Sequence, residues 1–139
     1  MTTFVVDASL WVARLIPKDI FHQTVNRWMD EQKETGARFL APALLLSEIA
    51  GVVSRRTKSP DLAMNVIELL QVLPELQLVE IDSRLTHQAA KLAAKLGLRS
   101  ADAFYTATAD FLHIPLVTLD EDQASRSTYR VEVVQLSGR

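Results

Sequence analysis

Short apolar segments alternate with longer amphipathic segments along this chain. The short segments are rich in apolar and β-branched residues, and this pattern predicts strands that are buried within a sheet. They cover residues 4–6, 38–41, 76–81, 116–119 and 131–136, and we expect the last of them at an edge of the sheet.

The longer segments carry apolar residues three or four positions apart, which predicts helices. These helices cover residues 21–35, 42–56, 60–73, 83–96 and 100–113, with a short helical turn at 121–126. The expected start signals are Pro42, Ser59, Asp82 or Ser83, and Ser100, and the expected stop signals are Gly36 and Gly97. This alternation of strands and helices predicts an α/β fold with a parallel sheet covered by helices on both faces.

The composition narrows the class of protein. A chain of 139 residues is the size of one domain, so we expect a single domain over residues 1–139. The absence of cysteine excludes a disulfide scaffold, a thiolate zinc site and a cysteine nucleophile, and it fits a reducing, cytoplasmic location. The longest apolar stretch, residues 39–46, is interrupted by Pro42 and is too short to cross a bilayer, so we expect no membrane partner.

Charge and motifs exclude several kinds of site. The formal net charge of -2 does not predict a broad basic surface, so a polyanionic partner would need positive charge from another source. The chain has no glycine-rich phosphate loop, no G-x-S-x-G and no H-E-x-x-H. His22, His87 and His113 lie on separate predicted helices, so we expect no zinc site.

Two aspartates follow predicted strands directly. Asp7 comes after the strand at 4–6, and Asp120 comes after the strand at 116–119. Because the carboxyl ends of parallel strands lie at one edge of a sheet, about 4.8 Å apart for neighbours, both aspartates could reach one cation. The alternative is that each aspartate only caps the helix that follows it.

Glu48 and Asp102 lie on predicted helices. At about 100° per residue, Glu48 falls between Leu44 and Val52 in the apolar arc of its helix, a position that favours a paired or metal-bound carboxylate. A salt bridge to an arginine is the alternative for Glu48. Asp102 aligns with Thr106, Asp110 and His113, a stripe that either faces solvent or lines a cleft, since the rest of that helix is apolar.

Convergence of these four carboxylates would require a counter-charge, since each carboxylate raises the pKa of its neighbours. Oxygen ligands without cysteine or grouped histidine favour a hard cation, Mg²⁺ or Mn²⁺. Such an ion would present positive charge to a phosphodiester and make a water molecule nucleophilic.

Four segments of the chain resemble the PIN-domain nucleases, and among these the VapC-type toxins of toxin–antitoxin pairs. The segments are Val5-Val6-Asp7-Ala8-Ser9, Leu46-Ser47-Glu48-Ile49, Leu98-Arg99-Ser100-Ala101-Asp102-Ala103-Phe104-Tyr105 and Val117-Thr118-Leu119-Asp120-Glu121-Asp122. The resemblance extends from about residue 4 to residue 136. It implies a three-layer α/β/α sandwich with a central, mostly parallel sheet, and a metal-dependent endoribonuclease that acts on structured RNA. It also implies a homodimer that a cognate antitoxin neutralises.

The resemblance also assigns roles to residues. Asp7, Glu48, Asp102 and Asp120 match the catalytic, metal-binding acids of the family, and Asp122 matches a further metal-binding acid. Ser9 and Thr118 match small hydroxyl positions that support the site. No motif of the family fixes the substrate-binding positions; Arg14, Arg99 and Arg126 are candidates for phosphate contacts, with solvated surface arginines as the alternative. The apolar stripe Leu62, Val66, Leu69, Leu70 and Leu73 is a candidate dimer surface, with core packing as the alternative.

Two other functions remain compatible with these residues. A non-catalytic interaction module would use the same acids to hold a structural ion. A phospho-accepting, receiver-like domain also places aspartates and Mg²⁺ at strand ends, but it normally has paired acids after its first strand and a lysine ending its last. Here Ala8 and Ser9 follow Asp7, and residues 131–139 contain no lysine.

Overall fold

Five parallel strands form one sheet in the computed structural model, which describes residues 2–136. In chain order they are β1 (Thr3–Val6), β2 (Arg38–Pro42), β3 (Leu76–Val79), β4 (Leu116–Thr118) and β5 (Val133–Gln135). Their order across the sheet is β3-β2-β1-β4-β5, and every neighbouring pair is parallel. The predicted parallel sheet is therefore confirmed, and the last strand does lie at an edge.

Seven helices connect these strands within the described residues and complete a three-layer α/β/α sandwich. They are α1 (Ala8–Leu15), α2 (His22–Glu34), α3 (Leu45–Thr57), α4 (Pro60–Val72), α5 (Ser83–Leu96), α6 (Ser100–Leu112) and α7 (Glu121–Ser127). No helix in this part of the chain is long and apolar enough to cross a membrane. Of the domain expected over residues 1–139, residues 1 and 137–139 lie outside the described part, and the single domain stays a prediction.

The apolar pattern did not reveal helix α1. Leu10, Trp11 and Ala13 of this helix are buried, and Leu10 and Ala13 are 0% exposed. Because residues 8–15 are apolar on most positions, they have no polar face from which a helical period can be recognised.

Pro42 was expected to begin a helix, and this prediction is wrong. Pro42 is the last residue of β2, where it pairs with Val79, and the N–H of Ala43 continues the ladder by donating to the Val79 carbonyl at 2.9 Å. Helix α3 therefore begins only at Leu45. Sheet pairing overrides the local preference of proline for the first turn of a helix.

The predicted caps are borne out in part. Ser59 and Asp82 accept from the N–H groups of Leu62 and Leu85, at 3.1 and 2.8 Å, so they cap α4 and α5 as expected. Ser100 is instead the first residue of α6, and the capping position belongs to Arg99, which makes no side-chain cap bond.

The central strand pair sets the position of the functional site. Strand β1 lies between β2 and β4, so the chain leaves β1 toward one half of the sheet and returns through β4 to the other half. A crevice forms beyond the carboxyl ends of strands at such a point of reversal, and ligands bind there in open α/β sheets. Asp7 and Asp120 follow these two strand ends.

Candidate metal centre

Asp7 is the most buried of the predicted metal-binding acids. It is 5% exposed, and its backbone N–H donates to the carbonyl oxygen of Val117 at 3.0 Å, which ties it to β4. Burial raises the pKa of the Asp7 carboxyl, and hydrogen bonds from Thr118 and Ser9 oppose that rise. Asp7 occupies the capping position of α1, but its side chain makes no cap hydrogen bond there, so capping does not explain its position.

Two hydroxyl groups hold Asp7 in one orientation. Thr118 Oγ1 and Ser9 Oγ donate to the same oxygen, Asp7 Oδ2, at 2.7 and 2.8 Å. The Thr118 hydroxyl accepts from the N–H of Asp120 at 3.0 Å. The Ser9 hydroxyl accepts from the N–H of Leu119 at 3.2 Å. Both hydroxyls therefore link the loop after β4 to the carboxylate after β1, which agrees with the supporting role expected for them.

Glu48 lies in the first turn of α3 and is partly buried. Its Oε1 accepts a hydrogen bond from the hydroxyl of Tyr105 at 2.7 Å. In the described part of the chain no lysine or arginine lies within salt-bridge distance of Glu48, so the arginine partner considered from the sequence is absent. Burial raises the pKa of the Glu48 carboxyl, and the charges of Asp7 and Asp102 add to that rise.

Asp102 lies in the first turn of α6, on a polar stripe that faces the protein. Thr106, one turn further on, is 0% exposed and its hydroxyl lies 2.8 Å from that of Ser127 on α7. The stripe therefore packs against α7 at Thr106, one turn from Asp102, whereas its last member, His113, is exposed. The pKa of Asp102 is raised to about 6, first by burial and further by the charges of Asp7 and Asp120.

Asp120 and Asp122 begin helix α7. Asp120 Oδ1 accepts from the N–H groups of Asp122 and Gln123, at 2.9 and 3.1 Å, so the capping alternative is realised for this residue. Asp122 Oδ1 accepts from Arg126 Nε at 2.9 Å. The carboxylate of Asp122 is thus paired with the guanidinium of Arg126 on the same helix. Asp120 has a second oxygen that makes no cap hydrogen bond.

The four main acids influence one another electrostatically. The carboxylate of Asp7 raises the pKa values of Glu48 and Asp102, and Asp120 raises those of Asp7 and Asp102. Arg99 is the only cation among the groups that act on Asp102 in the described chain, and it lowers this pKa. The fold therefore gathers the four predicted acids into one neighbourhood of like charge at the carboxyl edge of the sheet.

The donor chemistry of this neighbourhood suits a hard divalent cation. Among residues 2–136, no three histidine, cysteine, aspartate or glutamate side chains are arranged so that they could hold a metal ion as they stand. The bonds to Glu48 and Asp120 each occupy one carboxylate oxygen and leave the other oxygen for a ligand, and the hydroxyls of Thr118 and Ser9 share one oxygen of Asp7. The donors are all oxygen, as Mg²⁺ and Mn²⁺ prefer, and a cation would relieve the repulsion that raises the pKa values.

Sequence reasoning missed two residues that position these acids. Tyr105 is 0% exposed and binds Glu48. Gln123 is also 0% exposed, and its amide donates to the backbone oxygen of Asp102 at 3.4 Å. A buried tyrosine hydroxyl needs a hydrogen-bond partner, and this requirement is the signal by which Tyr105 could have been found. Gln123 offered no comparable signal, because only the docking of α7 on α6 buries it.

The arginines considered as phosphate contacts differ in their surroundings. Arg14 donates to Asn26 and Asp30, at 3.0 and 2.8 Å, and so belongs to the contact between α1 and α2. Arg126 bridges Asp122 and the carbonyl oxygen of Leu96. Arg99 is exposed, and its positive charge lowers the pKa of Asp102, one of the four main acids.

Comparison with known proteins gives one family and several solved structures. A family model for the PIN domain matches residues 4–128. A comparison with curated protein sequences gives no match.

The solved structures include toxins and toxin–antitoxin complexes. Mycobacterium tuberculosis VapC20, a sarcin–ricin loop cleaving toxin, is 19% identical, with a TM-score of 0.76 over 89% of this chain and 94% of that chain. VapBC2 from Rickettsia felis, bound to a promoter DNA fragment, is 13% identical, with a TM-score of 0.73 over 98% of this chain and 100% of that chain. FitAcB from Neisseria gonorrhoeae is 18% identical, with a TM-score of 0.67 over 94% of this chain and 95% of that chain. At these identities the likeness concerns the fold.

Proposed function

Because the chain belongs to the PIN domain family, we propose that it is a metal-dependent endoribonuclease and the toxin of a toxin–antitoxin pair. One observation carries the proposal: a buried aspartate, Asp7, shares the carboxyl edge of the sheet with three further acids whose charges act on one another. Such an arrangement is unfavourable without a cation, and acids gathered in a cleft with perturbed pKa values are typical of functional sites.

We assign Asp7, Glu48, Asp102 and Asp120 as the catalytic, metal-binding acids, with Asp122 as a further metal-binding acid. When bound, Mg²⁺ or Mn²⁺ would supply a nucleophilic water and stabilise the leaving oxygen of a phosphodiester. The chain itself holds the acids in place. The hydroxyls of Ser9 and Thr118 orient Asp7, the Tyr105 hydroxyl orients Glu48, and the cap of α7 orients Asp120.

Structured RNA is the substrate class that we propose. The M. tuberculosis toxin with this fold is described as cleaving the sarcin–ricin loop, which is a structured RNA element. A protein with a net charge of -2 needs a local source of positive charge to bind RNA, and a cation held by the acids supplies it. An RNA substrate also agrees with the expected cytoplasmic location.

We further propose two protein partners, a cognate antitoxin and a second copy of this chain. A structure with this fold from Klebsiella pneumoniae is described as a toxin–antitoxin complex. Of the predicted dimer stripe on α4, Leu70 is buried, whereas Leu62 and Leu69 are 44% and 52% exposed. Exposed apolar groups of this kind are typical of protein interfaces. Light scattering on the isolated protein should give twice the chain mass of 15.5 kDa, and a monomer would contradict the homodimer.

The substitution Asp7→Asn tests the enzymatic proposal. It removes the charge of the most buried acid at nearly constant shape, so we expect loss of RNA cleavage, by at least about a hundredfold, without unfolding. Cleavage of a structured RNA is measured with Mg²⁺, with Mn²⁺ and with a chelator, and circular dichroism checks the fold. The matched control is Asp61→Asn, since Asp61 is exposed in the first turn of α4 and distant in sequence from the four acids. Undiminished cleavage by the Asp7→Asn variant would contradict the assignment of Asp7 as a catalytic acid.

The same measurements separate the two other functions. Divalent cation binding without cleavage of any structured RNA would favour the non-catalytic module. Labelling of Asp7 by a small phosphodonor would favour the receiver-like domain. The strand order argues against the latter, because β3-β2-β1-β4-β5 differs from the 2-1-3-4-5 order of the flavodoxin-like receiver fold.

A further inference from the structure

The outer face of α5 is basic. Arg84, His87, Lys91 and Lys95 are all exposed, and residues 83–96 contain no aspartate or glutamate. Lys91 and Lys95 are four positions apart and so lie on the same face of the helix. This concentration of positive charge stands out in a chain whose net charge is -2.

A cavity of about 180 Å³ lies beside the C-terminal half of α5. Its polar rim is formed by Gln88, Lys91, Lys95, Tyr129 and Arg130. Tyr129, two residues after α7, is 83% exposed. An aromatic ring in this position contributes little to the core, so burial does not explain why it stands beside two lysines.

The positive charge of the cavity is only partly neutralised. Arg130 donates to Asp110 at 2.9 Å, and Gln88 donates to the same carboxylate at 2.7 Å. Within residues 2–136, Lys91 and Lys95 take part in no salt bridge. Since Asp110 offsets only Arg130, the two lysines leave a local excess of positive charge.

Helix α7 connects this cavity with the acids. It begins next to Asp120 and its seven residues extend about 10 Å toward Tyr129. Arg126 on this helix donates to the Leu96 carbonyl at 3.2 Å and to Asp122 at 2.9 Å, so it ties the end of α5 to the acidic end of α7. The cavity and the candidate metal centre therefore border the same short helix.

We propose that Lys91, Lys95 and Tyr129 form a binding subsite for unpaired nucleotides of the RNA substrate, at the end of α7 opposite to the proposed metal-binding acids. The lysines contact phosphates, and the exposed ring of Tyr129 stacks on a base. Single-stranded RNA is recognised in this way, by cationic grooves combined with aromatic platforms. An acidic protein segment would use the lysines but not the ring face, so the observations favour RNA. The inference rests on the proposed nuclease function.

Binding is measured by fluorescence anisotropy with a labelled RNA stem–loop that has an unpaired loop. The protein is the Asp7→Asn variant with Mg²⁺, so that the RNA stays intact. Lys91→Gln/Lys95→Gln should weaken binding at least about tenfold at ~0.1 M salt and reduce the slope of log K against log salt by about 1.4, as expected for two phosphate contacts. Tyr129→Ala should weaken binding about tenfold, whereas Tyr129→Phe keeps the ring and should bind normally.

The matched control is Lys18→Gln/Arg27→Gln, which removes the same charge from two exposed residues before and within α2. It should change binding less than about twofold, a residual effect of net charge alone. With Asp7 intact, the subsite variants should raise KM and leave kcat unchanged, because these side chains contact no reacting atom.

Equal loss of binding in the control, or normal binding by the lysine and Tyr129→Ala variants, would overturn the subsite. If the variants of Lys91, Lys95 and Tyr129 bind RNA normally but no longer bind the antitoxin, the surface is a protein interface, and the RNA subsite is overturned as well. If the proposed nuclease function is wrong, the result is different: the protein with Asp7 intact binds RNA at the subsite but does not cleave it.

Discussion

At the scale of single residues, Thr118 connects two of the proposed catalytic acids. Its hydroxyl donates to Asp7 at 2.7 Å and accepts from the N–H of Asp120 at 3.0 Å, and the residue is 0% exposed. A hydroxyl that uses its proton on a buried carboxylate and its lone pair on a backbone donor serves both neighbours. Thr118 therefore fixes the relative positions of the two strand-end acids.

Thr118→Val tests this role, since valine has nearly the same shape without the hydroxyl. The variant leaves the N–H of Asp120 without its acceptor and Asp7 with one donor fewer, so we expect the free energy of unfolding to fall by about 1–3 kcal/mol. RNA cleavage should fall with it. Denaturant titration measures the stability. Thr118→Ser keeps the hydroxyl and should retain most of the activity, and equal behaviour of the serine and valine variants would contradict the argument.

At the scale of elements, Asp120 has two roles at the start of helix α7. It caps the helix, and it is one of the proposed metal-binding acids. One oxygen of Asp120 caps the helix through the N–H groups of Asp122 and Gln123. The helix in turn buries Gln123 and Ser127 against α6, beside Asp102. The same carboxylate thus stabilises the element that completes the site.

Two substitutions of Asp120 separate these tasks. Asparagine caps a helix as well as aspartate does, so Asp120→Asn should keep the stability and lose the cleavage activity. Asp120→Ala removes the cap as well and should lower the free energy of unfolding by about 1 kcal/mol more than asparagine does. Thermal unfolding and RNA cleavage are measured on both. A fully active asparagine variant would show that Asp120 acts only as a cap.

At the scale of the whole molecule, like charges are concentrated at one edge of the sheet. The folded protein holds Asp7, Glu48 and Asp102 at raised pKa values, with burial as the first cause in each case. For an acid whose pKa is higher in the folded state, the folded state binds more protons and stability falls as the pH rises through that interval.

The metal-free protein should therefore lose stability as the pH rises from 3.8, the ordinary pKa of an aspartate, to about 6, the pKa of Asp102 in the folded protein. Unfolding is measured in a chelator at pH 5 and pH 7.5, and Asp102→Asn should make the difference between the two pH values smaller. Mg²⁺ should stabilise the wild-type protein more at pH 7.5 than at pH 5, because the ligands must be ionised. An equal effect of Mg²⁺ at both pH values would speak against these acids as ligands.

The elements could largely be predicted from local pattern because their signals are local. Helix α5 begins after its cap at Asp82 and ends at the left-handed residue Gly97, as expected, since both signals depend on a few neighbouring residues. The predictions failed where distant contacts decide. Helix α1 is buried by partners elsewhere in the chain, and Pro42 stays in β2 because Val79 pairs with it.

The sequence by itself determined the alternation of strands and helices, the absence of cysteine chemistry, and the four acids worth considering, because residue type and period are properties of adjacent positions. Only the tertiary structure decided that β1 and β4 are neighbours, that Tyr105 donates to Glu48, and that Thr106, one turn from Asp102, packs against α7. The reason is physical: burial, the pKa of a carboxyl and the direction of a hydroxyl depend on groups brought together from remote parts of the chain.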